Sequence, residues 1–84
     1  MTKNEGFYNE PTFAQISKKH YYLTLLDVLC GASLLDLNED IAVYEEAERF
    51  EICSGISNAI SFCETNTFTD IKKEYVRLTK EFFE

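Results

Sequence analysis

The chain has 84 residues, 45% of them hydrophobic and 14% aromatic, with one proline and three glycines. That length suits one domain with a modest core, the composition excludes a disordered chain, and the scarcity of turn residues disfavours a many-stranded β fold. Fifteen acids against eight bases give a formal charge of −7, which disfavours direct nucleic-acid binding through phosphates and is compatible with a basic protein partner, the plainer reading being charge that keeps a cytosolic protein soluble.

Residues 1–10 read as a polar arm, in which Phe7 and Tyr8 are candidates to dock on the body. The stretch from Met1 to Pro11 is polar, so no signal peptide is expected. Pro11 precedes Thr12, and Thr12-Phe13-Ala14-Gln15 fits a capping box. The first predicted helix therefore runs from Thr12 to about Leu35, with room for a kink between Ser17 and His20. Wound at 100° per residue, Tyr21, Leu25, Val28, Leu29 and Ala32 form one apolar face, and Leu23, Leu26 and Cys30 form another nearly opposite. A helix apolar almost all round is a buried one, either sandwiched between two others or covered by a second subunit. His20, Thr24 and Asp27, continued by Gly31, read as its solvent line. A catalytic reading of His20 and Asp27 fails on distance, because seven residues separate them by about 10 Å along a helix axis, too far for general base catalysis. No activated nucleophile or phosphate-cradling glycine loop accompanies them, and no enzyme is expected. Thr24, Asp27 and Ser33 interrupt the apolar stretch from Tyr21 to Leu35, so no membrane span is expected either.

Asp36-Leu37-Asn38-Glu39-Asp40 reads as the loop that ends this helix and caps the second, predicted at about 41–63. The loop lacks the glycine and ligand spacing of an EF-hand. Val43, Ala47 and Phe50 occupy the apolar side of the first half of this second helix. Ile52, Ile56, Ala59, Ile60 and Cys63 occupy that of the second half and point almost the opposite way. One straight helix on one neighbour does not do this, so either the helix breaks near Ser54-Gly55 or its halves pack on different neighbours. A hairpin about Asn38 sets Gly31 opposite Glu45 and leaves Gly55 to receive a bulky residue near Tyr75 to Arg77. The third predicted helix, 68–83, opens on a Thr67/Asp70 capping box. Its buried stripe is Ile71, Tyr75, Leu78 and Phe82, with Lys73, Arg77 and Lys80 as a basic strip beside it.

The expected fold is all-α, a compact three-helix domain with a polar N-terminal arm and no cofactor. Cys30, Cys53 and Cys63 are an odd set inside apolar stretches, without CxxC or Cys/His spacing. They predict buried free thiols in a reducing, cytoplasmic compartment and no metal. Two surfaces stand out. The acidic tract Asp36, Glu39, Asp40, Glu45, Glu46, Glu48 and Glu51 holds seven of the fifteen acids, and Arg49 is the only base between His20 and Ile71. It reads as an electronegative docking surface that imitates nucleic-acid phosphates toward a basic cleft. The plainer alternative is a solvated face, with Glu45 and Arg49 paired and Lys73, Arg77 and Lys80 balancing it from the third helix. Excess apolar surface predicts a homodimer through Val43, Ala47, Phe50, Leu23, Leu26, Cys30 and Gly31.

In size and charge the chain resembles the small inhibitors that phages and other mobile elements deploy against host nucleic-acid enzymes, including restriction and CRISPR nucleases. The resemblance is one of class and involves no shared motif; for a phage-encoded chain the compartment is the host cytoplasm. The functional expectation is a stoichiometric binder that blocks or modulates a partner. A structural adaptor acting through apolar helix faces is the alternative, and a small-ligand or nucleotide-binding oligomer comes third.

Overall fold

A computed structural model describes residues 10–83. Four helices follow one another: α1 (Phe13–Leu29), α2 (Leu34–Glu46), α3 (Phe50–Thr65) and α4 (Phe68–Phe83). The described residues contain no strand. Among the described residues the fold is all-α, with four helices where the sequence pattern predicts three. The expected docking of Phe7 and Tyr8 lies outside the described residues.

Helix α1 begins on the Thr12 capping box. The Gln15 amide donates to the Thr12 hydroxyl at 3.1 Å, and the Thr12 amide donates to Gln15 Oε1 at 2.8 Å. The helix is continuous through Ser17–His20 but ends at Leu29, short of the expected Leu35. Gly31 is the reason. It sits at φ +106, where a residue with a side chain is strained, and it closes the helix while the Ala32 amide donates to the Asp27 carbonyl at 2.9 Å. Ser33 then starts a new helix, its hydroxyl accepting from the Asp36 amide at 3.1 Å. Asp36 to Asp40, expected to be a loop, therefore lie inside α2.

The second predicted helix is also divided, at Ala47–Arg49 rather than at Ser54-Gly55. Glu48 takes φ +58, a left-handed conformation that costs a non-glycine residue about 1–2 kcal/mol. The apolar side expected for the first half of that predicted helix is not the packed one, because Val43, Ala47 and Phe50 are exposed. Helix α2 buries or half-buries Leu34, Leu37, Ile41 and Tyr44, whereas α3 buries Ile52, Ile56, Ala59 and Ile60. Ser54 and Gly55 lie within an unbroken α3.

Helices α1 and α3 form the central pair. A Cβ on Gly55 would overlap the Ser17 carbonyl oxygen and stand 2.9 Å from the Tyr21 amide nitrogen and 3.0 Å from His20 Cβ. Gly55 thus receives the backbone of α1, not a bulky side chain of α4, and no hairpin turns about Asn38. Beside the crossing, Ser17 Oγ donates to Ser54 Oγ at 3.2 Å. Further along, Tyr22 and Leu25 share a core with Ala59, so α1 and α3 run parallel. Helix α4 runs back along α1: Lys18 pairs with Glu81, whereas Tyr21 pairs with Glu74 and Leu29 lies beside Phe68.

Two cores result. Tyr22, Leu25, Ala59, Ile71 and Leu78 join α1, α3 and α4. Leu37, Ile52, Ile56 and Ile60 join α2 to α3, and Val28 packs against both clusters. Helix α2 contributes to one and α4 to the other, so these two are the outer helices. The α1–α4 seam is tied by polar contacts. Tyr22 stacks on Tyr75 with centroids 4.8 Å apart. The Thr79 hydroxyl donates to the Tyr75 carbonyl at 2.8 Å, which leaves its oxygen to accept from the Tyr22 hydroxyl at 2.8 Å. Tyr21 donates to Glu74 at 2.9 Å, and Arg77 bridges Glu74 and Glu81.

Gly31 and Gly55 differ in kind, which a denaturation experiment separates. Gly55→Ala is expected to cost about 1–3 kcal/mol through overpacking, and Gly55→Val more. Gly31→Ala meets nothing within 4 Å and is expected to cost about 1–2 kcal/mol through backbone strain alone, with no further loss on going to Ser. Urea unfolding midpoints of the four variants check both.

Candidate functional site

With Leu34, Leu37, Ile41 and Tyr44 turned inward, the 3.6-residue period sends Leu35, Asp36, Glu39, Asp40, Val43 and Glu46 outward. All six are exposed. Leu35 is 70% and Val43 64% exposed, so the face is apolar steps set in a field of carboxylates. The whole of α2 carries five acids and no base.

The structure distributes the acidic tract over several surfaces. Asp36, Glu39, Asp40 and Glu46 share the outer face of α2. Glu45 is exposed but lies near the margin of the buried stripe, and Glu48 belongs to the link. Glu51 is half-buried on α3, its carboxylate 3.5 Å from Arg49 Nε. Arg49 therefore pairs with Glu51 in place of the expected Glu45. Nor do the bases of α4 balance α2, because the two helices share neither core. Arg77 is committed to Glu74 and Glu81. Among the described residues Asp36, Glu39, Asp40, Glu45, Glu46 and Glu48 make no ion pair.

This arrangement costs stability. Asp36 in the first turn suits the positive end of the helix dipole, but Glu45 and Glu46 crowd the negative end, where no base is present. Next to them stands the left-handed Glu48. The end of α2 and the link after it are therefore built against local preference.

The residues expected at a self-association surface fall into two groups. Val43, Ala47 and Phe50 are exposed around the α2–α3 link. On α1, Leu23, Cys30 and Gly31 are exposed and Leu26 is half-buried, so α1 is less enclosed than its all-round apolar pattern implies. Cys53 is buried, with Sγ 3.5 Å from the Ile41 carbonyl, and Cys63 is half-buried. Burial raises both thiols above their ordinary value, whereas Cys30 departs from the expected burial.

The His20, Thr24 and Asp27 stripe is not a solvent line. Thr24 is 3% exposed, His20 is half-buried and only Asp27 faces solvent. His20 instead lines a groove of about 510 Å³ together with Gln15, Ile16, Lys19, Arg49 and Phe82, near Pro11. Sequence reading misses this groove because Arg49 reaches it only through the α2–α3 link. Burial lowers the His20 pKa below its usual 6.5, and the neighbouring charges of Lys19 and Arg49 lower it further against the opposing pull of Glu51.

Among the described residues no group of three His, Cys, Asp or Glu side chains converges as a metal site, and no helix is long and apolar enough to cross a membrane. Comparison with known protein families, with curated proteins and with solved structures found no match for this chain.

Two outcomes follow. Glu45→Lys relieves the unfavourable helix end and is expected to raise stability by about 0.3–1 kcal/mol at low salt, read as a higher urea midpoint. His20 takes a proton less readily folded than unfolded, so its contribution is complete above about pH 6.5 and is lost as pH falls through the lowered folded value. Urea midpoints measured between about pH 7.5 and 5 should fall for wild type, and His20→Gln should flatten that part of the profile.

Proposed function

We propose that the protein is a stoichiometric binder whose α2 face occupies a basic surface of another protein and thereby blocks or modulates it. One observation carries this reading: α2 presents Asp36, Glu39, Asp40 and Glu46 around Leu35 and Val43, with no base on the helix to neutralise them. Uncompensated charge steers a complementary partner and fixes its register, while apolar residues within the charged field supply surface that gains by being covered. From Asp36 to Glu46 the face extends about 15 Å, a line of negative charge of the kind that a basic nucleic-acid cleft accepts. The partner class is a nucleic-acid enzyme with an exposed basic cleft, the target of the small acidic inhibitors of phages and mobile elements, met in the cytoplasm.

The exposure of Leu35, Val43 and Phe50 favours one second reading, an assembly adaptor that docks through apolar contact with charge incidental.

Retention of a partner by the tagged protein separates the two. Wild type, Glu39→Gln/Asp40→Asn/Glu46→Gln and Val43→Asp are compared at low and high salt, after circular dichroism confirms folding. The proposal expects a basic nucleic-acid enzyme held and inhibited at low salt. Both neutralisation and salt should weaken it at least tenfold, since a Debye length of about 10 Å at 0.1 M shrinks to about 3 Å at 1 M. A partner indifferent to salt and neutralisation but lost with Val43→Asp supports the adaptor and sinks the inhibitor.

A further inference from the structure

Helix α4, the other outer helix, carries the counterpart of the α2 face. Its inward stripe is Ile71, Tyr75 and Leu78. Away from that stripe, within an arc of about 80° at 100° per residue, lie Lys73, Val76 and Lys80, with Phe83 at the edge, its ring 6.4 Å from that of Tyr22. All four are exposed, Val76 at 46% and Phe83 at 74%. On α2, Leu35, Glu39, Val43 and Glu46 fill an arc of the same width. Each face is therefore an apolar centre flanked by two charges, negative on α2 and positive on α4.

The spacing gives the match a direction. Along α2 the steps from Glu39 to Val43 to Glu46 are four and three residues. Along α4 the same steps, four then three, are met only in reverse, from Lys80 to Val76 to Lys73. In both, the flanking charges stand about 10.5 Å apart along the axis. The two faces cannot meet within one chain, because α2 packs in one core and α4 in the other.

We propose that copies of this chain associate head to tail, the outer face of α2 in one copy lying antiparallel on the outer face of α4 in the next. Glu39 then meets Lys80, Val43 meets Val76 and Glu46 meets Lys73. Leu35 reaches Phe83 at one end, so the two most exposed apolar residues of the faces cover each other. Antiparallel packing also sets the helix dipoles in their favourable relative orientation. Such an interface is heterologous, joining two different surfaces, and so builds a closed ring or an open chain instead of a two-fold dimer. It stands apart from the inhibitor reading, although both draw on α2, so self-association and partner binding compete for that helix.

The test uses the full chain alone, which keeps it independent of any partner. Sedimentation velocity is measured over rising protein concentration at low and at high salt for wild type, for Lys73→Glu/Lys80→Glu and for Glu39→Lys/Glu46→Lys, with circular dichroism to confirm the helices. Wild type is expected to sediment as oligomers at low salt and to dissociate at high salt. Each charge-reversed variant alone should be monomeric, and an equimolar mixture of the two should associate again, because each restores the complement that the other lacks. A wild type that stays monomeric at low salt and millimolar concentration overturns the proposal. So does a variant that still associates as wild type does, which would indicate a two-fold contact through its unaltered face, or a mixture that remains monomeric.

Discussion

Helices α1 and α3 touch backbone to backbone at Gly55, and most of the architecture follows from that contact. Without a Cβ at this position the α1 backbone at Ser17 and Tyr21 can settle against α3, and the small Ser17–Ser54 pair lets the approach continue beside it. The pair is parallel. Two parallel neighbours cannot be joined by a short turn, so the chain must travel back the length of a helix before α3 can begin. The thirteen residues of α2 cover about 20 Å and make that return. The acidic helix is thus the connector that the central pair demands, and its place on the outside is a consequence of the pair being complete without it.

That position explains how one helix tolerates five acids and no base. A connector that needs a single buried stripe, Leu34, Leu37, Ile41 and Tyr44, leaves most of its circumference free of packing constraints. Charge on the free side is not constrained by the core. The opposing face of α4 is free for the same reason, since of its three acids Asp70 caps the helix start with Thr67 and Glu74 and Glu81 are turned to Tyr21, Arg77 and Lys18 along the α1 seam. A chain of net charge −7 thereby keeps an acidic and a basic helix apart.

Much of this was legible from the residues. Both capping boxes, Thr12 with Gln15 and Thr67 with Asp70, form as their spacing implies, and of the four-three-four stripe of α4 Ile71 and Leu78 are buried and Tyr75 half-buried, while Phe82, expected to be buried, is 40% exposed. The chain does break just before Phe50, where the apolar pattern changes sides, although Val43, Ala47 and Phe50 themselves are exposed. The location of the break was misread because Gly55, the residue that looks like a helix breaker, serves close packing, while Glu48, which nothing in its chemistry marks, takes the left-handed turn. Helix α2 was hidden for a related reason. Asp36, Asn38 and Asp40 are turn formers by composition, yet Ser33 supplies a cap and the steps from Leu34 to Tyr44 supply a stripe. In this segment periodicity prevails over local composition. The division of the acidic tract between the α2 face, the link and α3 could not be read from chain adjacency, because it depends on where the chain turns.

The separation of the two cores has one more consequence. Helix α2 is anchored by Leu37 and its half-buried neighbours chiefly to Ile52, Ile56 and Ile60, with Ile16 and Val28 of α1 packed against the same cluster, whereas α1, α3 and α4 hold one another through the other cluster, the Tyr22–Tyr75 stack and the Glu74–Arg77 bridge. The fold therefore has a built-in line of weakness. Release of α2 is a sub-global opening that leaves the remaining three helices together. Amide hydrogens from Leu37 to Glu46 should exchange with solvent through that opening, well ahead of those in the middle of α1. While α2 is away, the isoleucine row of α3 stands uncovered, so the connector that carries the charge also acts as a cover for sticky surface.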